Sequence, residues 1–199
     1  TAAELAEFRD MVNEGNDDIS AKLTADIDLS VDGEPSEWKP IGNPSFNGTF
    51  DGGGHTVSGY VVREAVRVQM TTSAYVDYAG FFAKIEMNGS VSNLLLIGDT
   101  DVTSDVGLRA GGVSGAIEEL SKQSGIIFNC VHKGKVSAKV ENASSYAGGI
   151  TGYNNGLIVN CFHSGDVFAT RNNNNYENAG GIAGMSDNTL AIYNSSWRS

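Results

Sequence analysis

One phrase recurs along the chain and constrains its fold more than any other feature. It reads Ala-Gly-Gly, an aliphatic residue, a small residue and Gly, and it occupies residues 110–115, 147–152 and 179–184, with a degenerate copy at 79–83. A period of roughly 20 to 50 residues is typical of solenoids and propellers. Because the copies are rich in Gly, Val, Ile and Asn, each period is predicted to be one coil of strands and turns.

Stacked coils place equivalent residues above one another, so the repeat predicts ladders of identical positions. The aliphatic position should form an inward ladder, and the residue after it should face the other way; these residues are Phe81, Val113, Ile150 and Ile182, followed by Phe82, Ser114, Thr151 and Ala183. The flanking glycines, Gly112, Gly149 and Gly181 among them, are expected at corners or where neighbouring coils approach closely.

An Asn closes a second apolar segment after each copy of the phrase. These residues are Asn93, Asn129, Asn160 and Asn194. Side-chain amides stacked in parallel strands bond to one another, so we expect an Asn ladder along the solenoid.

The first residues predict a helix that covers the open end of the solenoid. Thr1 and Glu4 have capping-box spacing, and Gly15 supplies a stop. Between them Leu5, Phe8, Met11 and Val12 fall on one helical face. We therefore expect a helical lid over residues 2–14.

The segment that follows predicts strands. Apolar residues alternate with polar ones from Lys22 to Ser30, which indicates one half-buried strand. Short alternating runs then continue through residues 38–57, separated by Asn-Gly and Gly-Gly. Hairpins are the alternative arrangement there, but the later repeats favour parallel stacking.

Length and charge set limits on organisation and partners. The 199 residues are predicted to form a single domain, with a helical cap at 1–16, leading coils at 20–78 and repeats at 79–199. A net charge of −11 argues against nucleic acid or anionic lipid as a partner, though it permits Ca²⁺. No apolar run of membrane-spanning length occurs, so membrane insertion is not expected.

The repeats resemble the GLUG-motif group of bacterial proteins. The resemblance rests on residues 149–152 and 181–184, on Asn160-Cys161 with Gly165-Asp166-Val167, on Asn129-Cys130 with Gly134-Lys135-Val136, and on a preceding segment at 23–57. It implies an all-β, right-handed parallel β-helix, here with an N-terminal capping α-helix. Such proteins are large secreted or cell-surface chains, including adhesin-like proteins and N-terminal regions of immunoglobulin-A-type metallopeptidases. No His-Glu-x-x-His is present, so no peptidase activity is implied.

A binding face is predicted from tyrosines near the phrase. Tyr78 and Tyr146 immediately precede an Ala-Gly, and Tyr176 lies three residues before one. With Arg109 and residues 172–175 they would form an aromatic column suited to a host glycan or glycoprotein. Alternatively, the tyrosines pack the turns of their own coils. Recognition loops are expected at 63–77, 118–124 and 171–178.

Chemistry-bearing residues are scattered. Asp26, Asp28, Asp51 and His55 could form an acidic cluster of the kind that a β-helix polysaccharide lyase or hydrolase uses, or simply a solvated face. The Asp99-x-Asp101-x-x-x-Asp105 run lacks the Gly and Glu of a Ca²⁺ loop, so no cofactor is expected, with Ca²⁺ as the remaining option.

The histidines and cysteines occupy equivalent repeat positions. His132 and His163 could share a Zn²⁺ ion but lack an evident third ligand, and histidines in turns are the simpler explanation. Cys130 and Cys161 should stack, either as buried thiols or as a disulfide if their Cβ vectors agree.

The function expected is a non-catalytic module of a secreted or surface protein, acting in adhesion or as a stalk. An accessory substrate-recognition region of a larger surface peptidase is the alternative, and a polysaccharide lyase or hydrolase is the third. The last residues, 194–199, contain no capping element, so further solenoid or another domain is expected beyond Ser199.

Overall fold

The computed structural model describes residues 1–86, 88–120, 123–171, 176–187 and 192–199. Its one helix, α1 (Ala2–Asn13), begins at the predicted capping box. The Glu4 amide donates to Thr1 Oγ1 at 3.3 Å, and the Thr1 hydroxyl and amino group both donate to the Glu4 carboxylate. These bonds satisfy amides that the first helical turn leaves without partners.

The helix packs its apolar face against the first coil. Leu5 and Val12 are buried, and the Phe8 ring lies 6.1 Å from the Phe46 ring and 5.6 Å from the Phe50 ring. The helix therefore covers the apolar interior that the first coil would otherwise expose.

Short strands make up the remainder of the fold. In chain order they are β1 (Ala21–Lys22), β2 (Ile27–Asp28), β3 (Ser36–Glu37), β4 (Thr49–Asp51), β5 (Thr56–Val62), β6 (Val66–Gln69), β7 (Tyr75–Ala79), β8 (Phe82–Ile85), β9 (Ser90–Ser92), β10 (Leu95–Ser104), β11 (Gly107–Gly111), β12 (Ser114–Ile117), β13 (Glu119–Leu120), β14 (Gln123–Ser124), β15 (Ile126–Phe128), β16 (Val131–Lys133), β17 (Val136–Val140), β18 (Ser145–Gly148), β19 (Thr151–Asn154), β20 (Leu157–Val159), β21 (Phe162–Ser164), β22 (Val167–Arg171), β23 (Glu177–Gly180), β24 (Ala183–Ser186), β25 (Ile192–Tyr193) and β26 (Ser196–Arg198).

The strands stack into a β-solenoid of about five turns, as predicted. Sheet A has the order β1-β4-β9-β15-β20-β25, and sheet B has the order β2-β5-β10-β16-β21-β26, with β3, β17 and β22 at its side. Sheet C has the order β6-β7-β11-β18-β23, and sheet D has the order β8-β12-β19-β24. Pairing is parallel except between β6 and β7 and between β13 and β14, both within predicted insertions.

The repeated phrase keeps its register from coil to coil. Ala79 pairs with Ala110, Ala110 with Ala147, and Ala147 with Ala179. Each phrase ends a strand of sheet C, turns, and starts a strand of sheet D. The differences in repeat length therefore lie in the segments between phrases, and the phrases themselves stack in register.

The prediction of one strand from residue 22 to residue 30 is wrong. β1 ends at Lys22 in sheet A, and β2 starts at Ile27 in sheet B. The intervening residues 24–26 are exposed and form a corner. The apolar alternation misleads here because Leu23 and Ile27 are buried on opposite sides of that corner.

The inward ladder is present, but the residues after it do not face outward. Phe81, Val113 and Ile150 are fully buried, and Ile182 is partly buried. Their successors Phe82, Ser114 and Thr151 are fully buried as well, and Ala183 is partly buried. The physical reason is the turn between sheets C and D, which restarts the alternation and returns these side chains to the interior.

The second glycine of each complete phrase lies against an aromatic ring of sheet B. A Cβ atom would lie 2.1 Å from His132 Nδ1 at Gly112, 2.3 Å from His163 Cγ at Gly149 and 2.3 Å from Trp197 Cγ at Gly181. Those three rings form one column of sheet B, and Leu96 precedes them in it. In that earlier coil Phe81 supplies the interior ring instead, which explains why its phrase lacks the second glycine.

The Asn ladder runs along the corner between sheets A and B. Asn160 donates to Asn129, and Asn129 to Asn93, each at 3.2 Å, and Asn93 donates to the Asp51 carboxylate at 3.0 Å. The ladder asparagines have φ of 53°, and Asn194 has φ of 47°. Asn tolerates this left-handed conformation better than other non-glycine residues, so it serves both the corner and the ladder.

Substituting a glycine of the phrase should destabilise the protein strongly. A Cβ in Gly149→Ala would lie 2.2 Å from the Gly181 carbonyl oxygen as well as against His163, so we expect a loss of about 3 kcal/mol or more in the free energy of unfolding. Gly107→Ala is the control, because the nearest atoms to its Cβ lie at 3.8 Å; its change should stay within about 0.5 kcal/mol. Urea unfolding of both variants measures this, and equal losses would contradict the packing described.

Substituting Asn129 separates the backbone contribution from the ladder contribution. Asn129→Gly loses the amide bonds but keeps the left-handed corner, and should cost about 1 kcal/mol. Asn129→Ala loses the bonds and strains the corner, so it should cost about 1 kcal/mol more. Denaturant unfolding measures the difference, and two equally stable variants would refute a backbone role for this residue.

Candidate ligand-binding site

The outer face of sheet C brings the predicted site residues into two columns. Strand pairing aligns Tyr78 with Arg109 and Arg109 with Tyr146. Two residues earlier, Val76, Gly107 and Ser144 form a parallel column. Residues two apart on a strand face the same side, so the columns share one surface.

Tyr78 is buried, which corrects its expected place in an exposed column. Its ring lies 5.5 Å from Lys84 Nζ and 5.4 Å from Arg109 Cζ, and its hydroxyl donates to Glu118 at 3.2 Å. Valines of the β6–β7 insertion and Tyr153 pack around it. Burial raises the pKa of the Tyr78 hydroxyl. Tyr78 therefore packs against Arg109 and does not contact solvent.

Arg109 is fixed between two aromatic rings. Its Cζ lies 3.9 Å from the Tyr153 ring centre, and its Nη1 forms an ion pair with Glu118. Lys84 lies beside the same carboxylate at 3.7 Å and pairs with Glu86 at 2.8 Å. Two cations and two carboxylates therefore balance one another, so the guanidinium is positioned without a net charge around it.

A cavity of about 270 Å³ opens beside Arg109. It is lined by Val76, Gly107, Leu108, Arg109, Ser144 and Tyr146. Gly107 contributes no side chain to its column, and the space left between Val76 and Ser144 forms part of the cavity. Half-buried Tyr146 provides one wall, and the volume suits a single sugar ring or one side chain.

Tyr176 lies apart from the tyrosine column. Its carbonyl accepts from the Ser145 amide, so it continues the Gly107 and Ser144 column in the next coil. It is 75% exposed. Residues 172–175, which the sequence grouped with it, lie outside the described residues. Val76, Gly107 and Ser144 were missed, although aligning the phrases on their Ala would have placed them opposite one another.

A second groove, of about 520 Å³, lies on sheet B beside Gly98 and Gly134. Its charged lining is mixed, with Glu34, Arg63, Asp99 and Lys133. Its one lining aromatic, Tyr60, is only 1% exposed. The sheet C cavity is the stronger candidate because it presents an accessible aromatic ring beside a fixed guanidinium.

His132 and His163 lie on strands inside the core, so the prediction of turn positions is wrong. Their rings stack 5.0 Å apart, and their Nδ1 atoms are 3.0 Å from each other. His132 Nε2 is 2.8 Å from the Gly98 carbonyl and donates to it. A neutral His132 must therefore accept at Nδ1, so His163 donates from its own Nδ1 and keeps Nε2 unprotonated.

Burial keeps this histidine pair neutral. It lowers the pKa of His132 to about 3, and it also lowers the pKa of His163. Among the described residues no group of three or more His, Cys, Asp or Glu side chains is arranged to hold a metal ion. The two rings meet each other in a hydrogen bond instead of presenting an open ligand pair.

The predicted acidic cluster is divided among local contacts. Asp26 accepts from the Thr56 amide and contacts His55 at 3.1 Å, whereas Asp28 accepts from the Ser30 amide. Hydrogen bonds donated by Asn93 and by Lys22 hold the pKa of the Asp51 carboxyl well below its usual value. Each carboxylate therefore stabilises a turn or a ladder.

The predicted Ca²⁺-like run is extended strand. Asp99 and Asp101 lie on β10, where Asp101 contacts Lys139 at 2.9 Å, and Asp105 follows that strand and pairs with Arg67. An extended strand cannot wrap its carboxylates around one ion as a loop does.

The fold and this surface define the class to which the protein belongs, the β-solenoids. A solved structure described as a "putative immunoglobulin A1 protease from Bacteroides ovatus" matches with a TM-score of 0.54 and 22% identity, over 90% of this chain and 60% of that one. At that identity the match shows the fold alone. No protein-family model matches the chain.

One curated relative shares sequence with the chain. It is a "Putative Gly-rich membrane protein" of Evansella cellulosilytica, 31% identical over 133 residues, or 63% of this chain. The chain spans 14% of that relative's length. In the part of the chain that the structure describes, no helix is long and apolar enough to cross a membrane.

The buried histidines should make the protein sensitive to mild acid. In the unfolded chain His132 takes up a proton as the pH falls below 6.5, whereas in the folded protein its pKa is about 3. The contribution of neutral His132 to the free energy of unfolding is therefore fully present above pH 6.5 and declines as the pH falls below that value. For His132 the loss should approach about 2 kcal/mol at pH 5.

The variant His132→Leu tests this contribution, since Leu96 occupies the same column in the preceding coil. Urea unfolding at pH 7 and pH 5 should show a smaller pH-dependent loss in His132→Leu than in the wild type. Leu96→Val, which alters the same column without removing a titratable group, is the control and should keep the wild-type pH dependence. An unchanged pH dependence in His132→Leu would contradict a buried neutral histidine.

Proposed function

We propose that this chain is a non-catalytic β-solenoid module of a secreted or cell-surface bacterial protein, and that it binds a host glycan or glycoprotein at the sheet C cavity. The observation that carries the proposal is the cavity beside Gly107, bounded by Tyr146, Arg109 and Ser144. It combines an aromatic face with fixed polar groups, and such combinations suit sugars.

The chemistry of the cavity favours a neutral sugar. Tyr146 offers its ring to the apolar face of a sugar, while the Ser144 hydroxyl and the Arg109 guanidinium offer hydrogen bonds to its hydroxyl groups. Glu118 already neutralises Arg109, and the chain carries a net charge of −11, so a polyanion would be repelled.

The bacterial and surface assignment draws on the GLUG-like repeats and on the two relatives. Both matches are bacterial: the curated relative is described as a "Putative Gly-rich membrane protein", and the solved structure of similar fold as a "putative immunoglobulin A1 protease". The second supports an alternative role, in which the module is the accessory substrate-recognition region of a larger surface peptidase. A β-helix lyase or hydrolase is less well supported, because the acidic residues considered for it are engaged in local contacts.

The experiment is a binding screen with variants that alter only the cavity. The purified protein is applied to a glycan array and to immunoglobulin A1 before and after deglycosylation. Gly107→Val should fill part of the cavity, since a Cβ at residue 107 lies 3.8 Å from its nearest neighbours, and Tyr146→Ala should remove the aromatic wall. Both should weaken saturable binding at least about tenfold, the effect of losing about 1.4 kcal/mol, with unchanged melting temperatures.

The control variant is Tyr193→Ala, which removes an exposed tyrosine from sheet A. It should bind as the wild type does. Binding to immunoglobulin A1 that survives deglycosylation would favour the peptidase-accessory role over glycan recognition. Equal binding by all variants would refute the cavity as the site, and no binding to any probe would overturn the recognition role in favour of a stalk.

A further inference from the structure

Cys130 and Cys161 are direct neighbours along the solenoid. Each follows an Asn of the ladder and precedes a strand of sheet B, and those strands pair Val131 with Phe162. The Phe162 amide donates to the Cys130 carbonyl at 3.0 Å. The chain has no other cysteine, so each thiol has one possible partner within the molecule.

The two side chains lie in equivalent surroundings in neighbouring coils. Each Sγ is 3.4 Å from the carbonyl oxygen two residues earlier and 3.6 or 3.7 Å from a carbonyl of the preceding coil. Their exposures are 0% and 1%. The two residues therefore occupy the same buried position in neighbouring coils, next to strands that pair in register.

We propose that Cys130 and Cys161 form a disulfide bond between neighbouring coils when the protein folds with a disulfide oxidant. Neighbouring strands lie about 4.8 Å apart, within the range of about 4.4 to 6.8 Å that Cα atoms of disulfides occupy. Both residues lie at a corner, outside the strands. Drawing their Cβ atoms together therefore breaks no strand pairing.

The exchange reaction needs two thiols and one disulfide. Burial raises the pKa of the Cys130 thiol and closes both thiols to solvent in the folded protein, so the exchange takes place during folding. The Cys161 thiolate attacks one sulfur of oxidised glutathione, and one glutathione thiolate leaves. Cys130 then loses its proton and attacks the Cys161 sulfur, which releases the second glutathione as a thiol. The protein is oxidised by two electrons, and the oxidant is reduced to two thiols.

The bond would close the coil that carries part of the candidate site. Residues 130–161 include Ser144 and Tyr146 of the cavity. This consequence rests on the proposed function, but formation of the bond does not. Closing the loop also restricts the unfolded chain, so the oxidised protein should be more stable than the reduced one.

The test is refolding from denaturant in buffer that contains oxidised and reduced glutathione, followed by alkylation in denaturant and intact-mass measurement. We expect a mass lower by two hydrogen atoms, no alkyl groups, and a melting temperature that falls when reductant is added. The control is Cys161→Ser, since Ser follows the ladder Asn in the next coil, at Ser195. Its melting temperature should not respond to reductant.

Three results would overturn the proposal. Two alkyl groups after oxidative refolding would mean that both thiols stay free. Two attached glutathiones would mean that the side chains cannot reach each other, and a disulfide-linked dimer of chains would mean that they pair between molecules. Each result leaves the binding experiments on the sheet C cavity unaffected, so the two proposals fail separately.

Discussion

The contact between a phrase glycine and the sheet B ring that faces it is the constraint on which the rest of the solenoid depends. At Gly112, Gly149 and Gly181 the backbone lies where any side chain would overlap His132, His163 or Trp197. A later glycine of the phrase has a related role, since a Cβ at Gly115 would lie 2.7 Å from the Ala79 amide nitrogen. The chain can therefore turn from sheet C into sheet D with neighbouring backbones in close contact, and the rings of His132 and His163 fill the interior beside this turn.

Several properties follow from that arrangement. Because His132 and His163 are fully buried, they stay neutral and share a hydrogen bond between their Nδ1 atoms. Because the phrase is held in register, the strands of sheet C carry their outward residues in straight columns, and a single missing side chain at Gly107 becomes a cavity. The surface available for recognition is thus a consequence of the same register that builds the core.

The sequence predicted the architecture because the repeat is periodic in residues that only one geometry accommodates. The register of the phrases, the Asn ladder and the capping box at Thr1 were all predicted correctly. Errors arose where periodicity continued through a corner, as between Leu23 and Ile27, and where a turn restarted it, as at Phe82. Alternation alone does not record a change of direction in the chain.

The candidate site was only partly predictable. Arg109 and Tyr146 line the cavity, but Tyr78 is buried because Lys84, Glu118 and the valines of the β6–β7 insertion enclose it. No local pattern in the sequence reports such tertiary contacts. Gly107 was not predicted because nothing in a glycine-rich sequence distinguishes it from the other glycines. Its role becomes visible only when strand pairing shows which residues lie beside it.

A double-mutant cycle on Gly181 and Trp197 tests the glycine–ring contact most directly, because the three nearest atoms to a Cβ at Gly181 all belong to Trp197. If the Trp197 ring is the reason that residue 181 must be glycine, Gly181→Ala should destabilise the wild-type protein much more than it destabilises the Trp197→Ala variant. Urea unfolding should then give a coupling free energy of about 1 to 2 kcal/mol. Strictly additive effects would contradict it, and would mean that the glycine is required by the backbone turn alone.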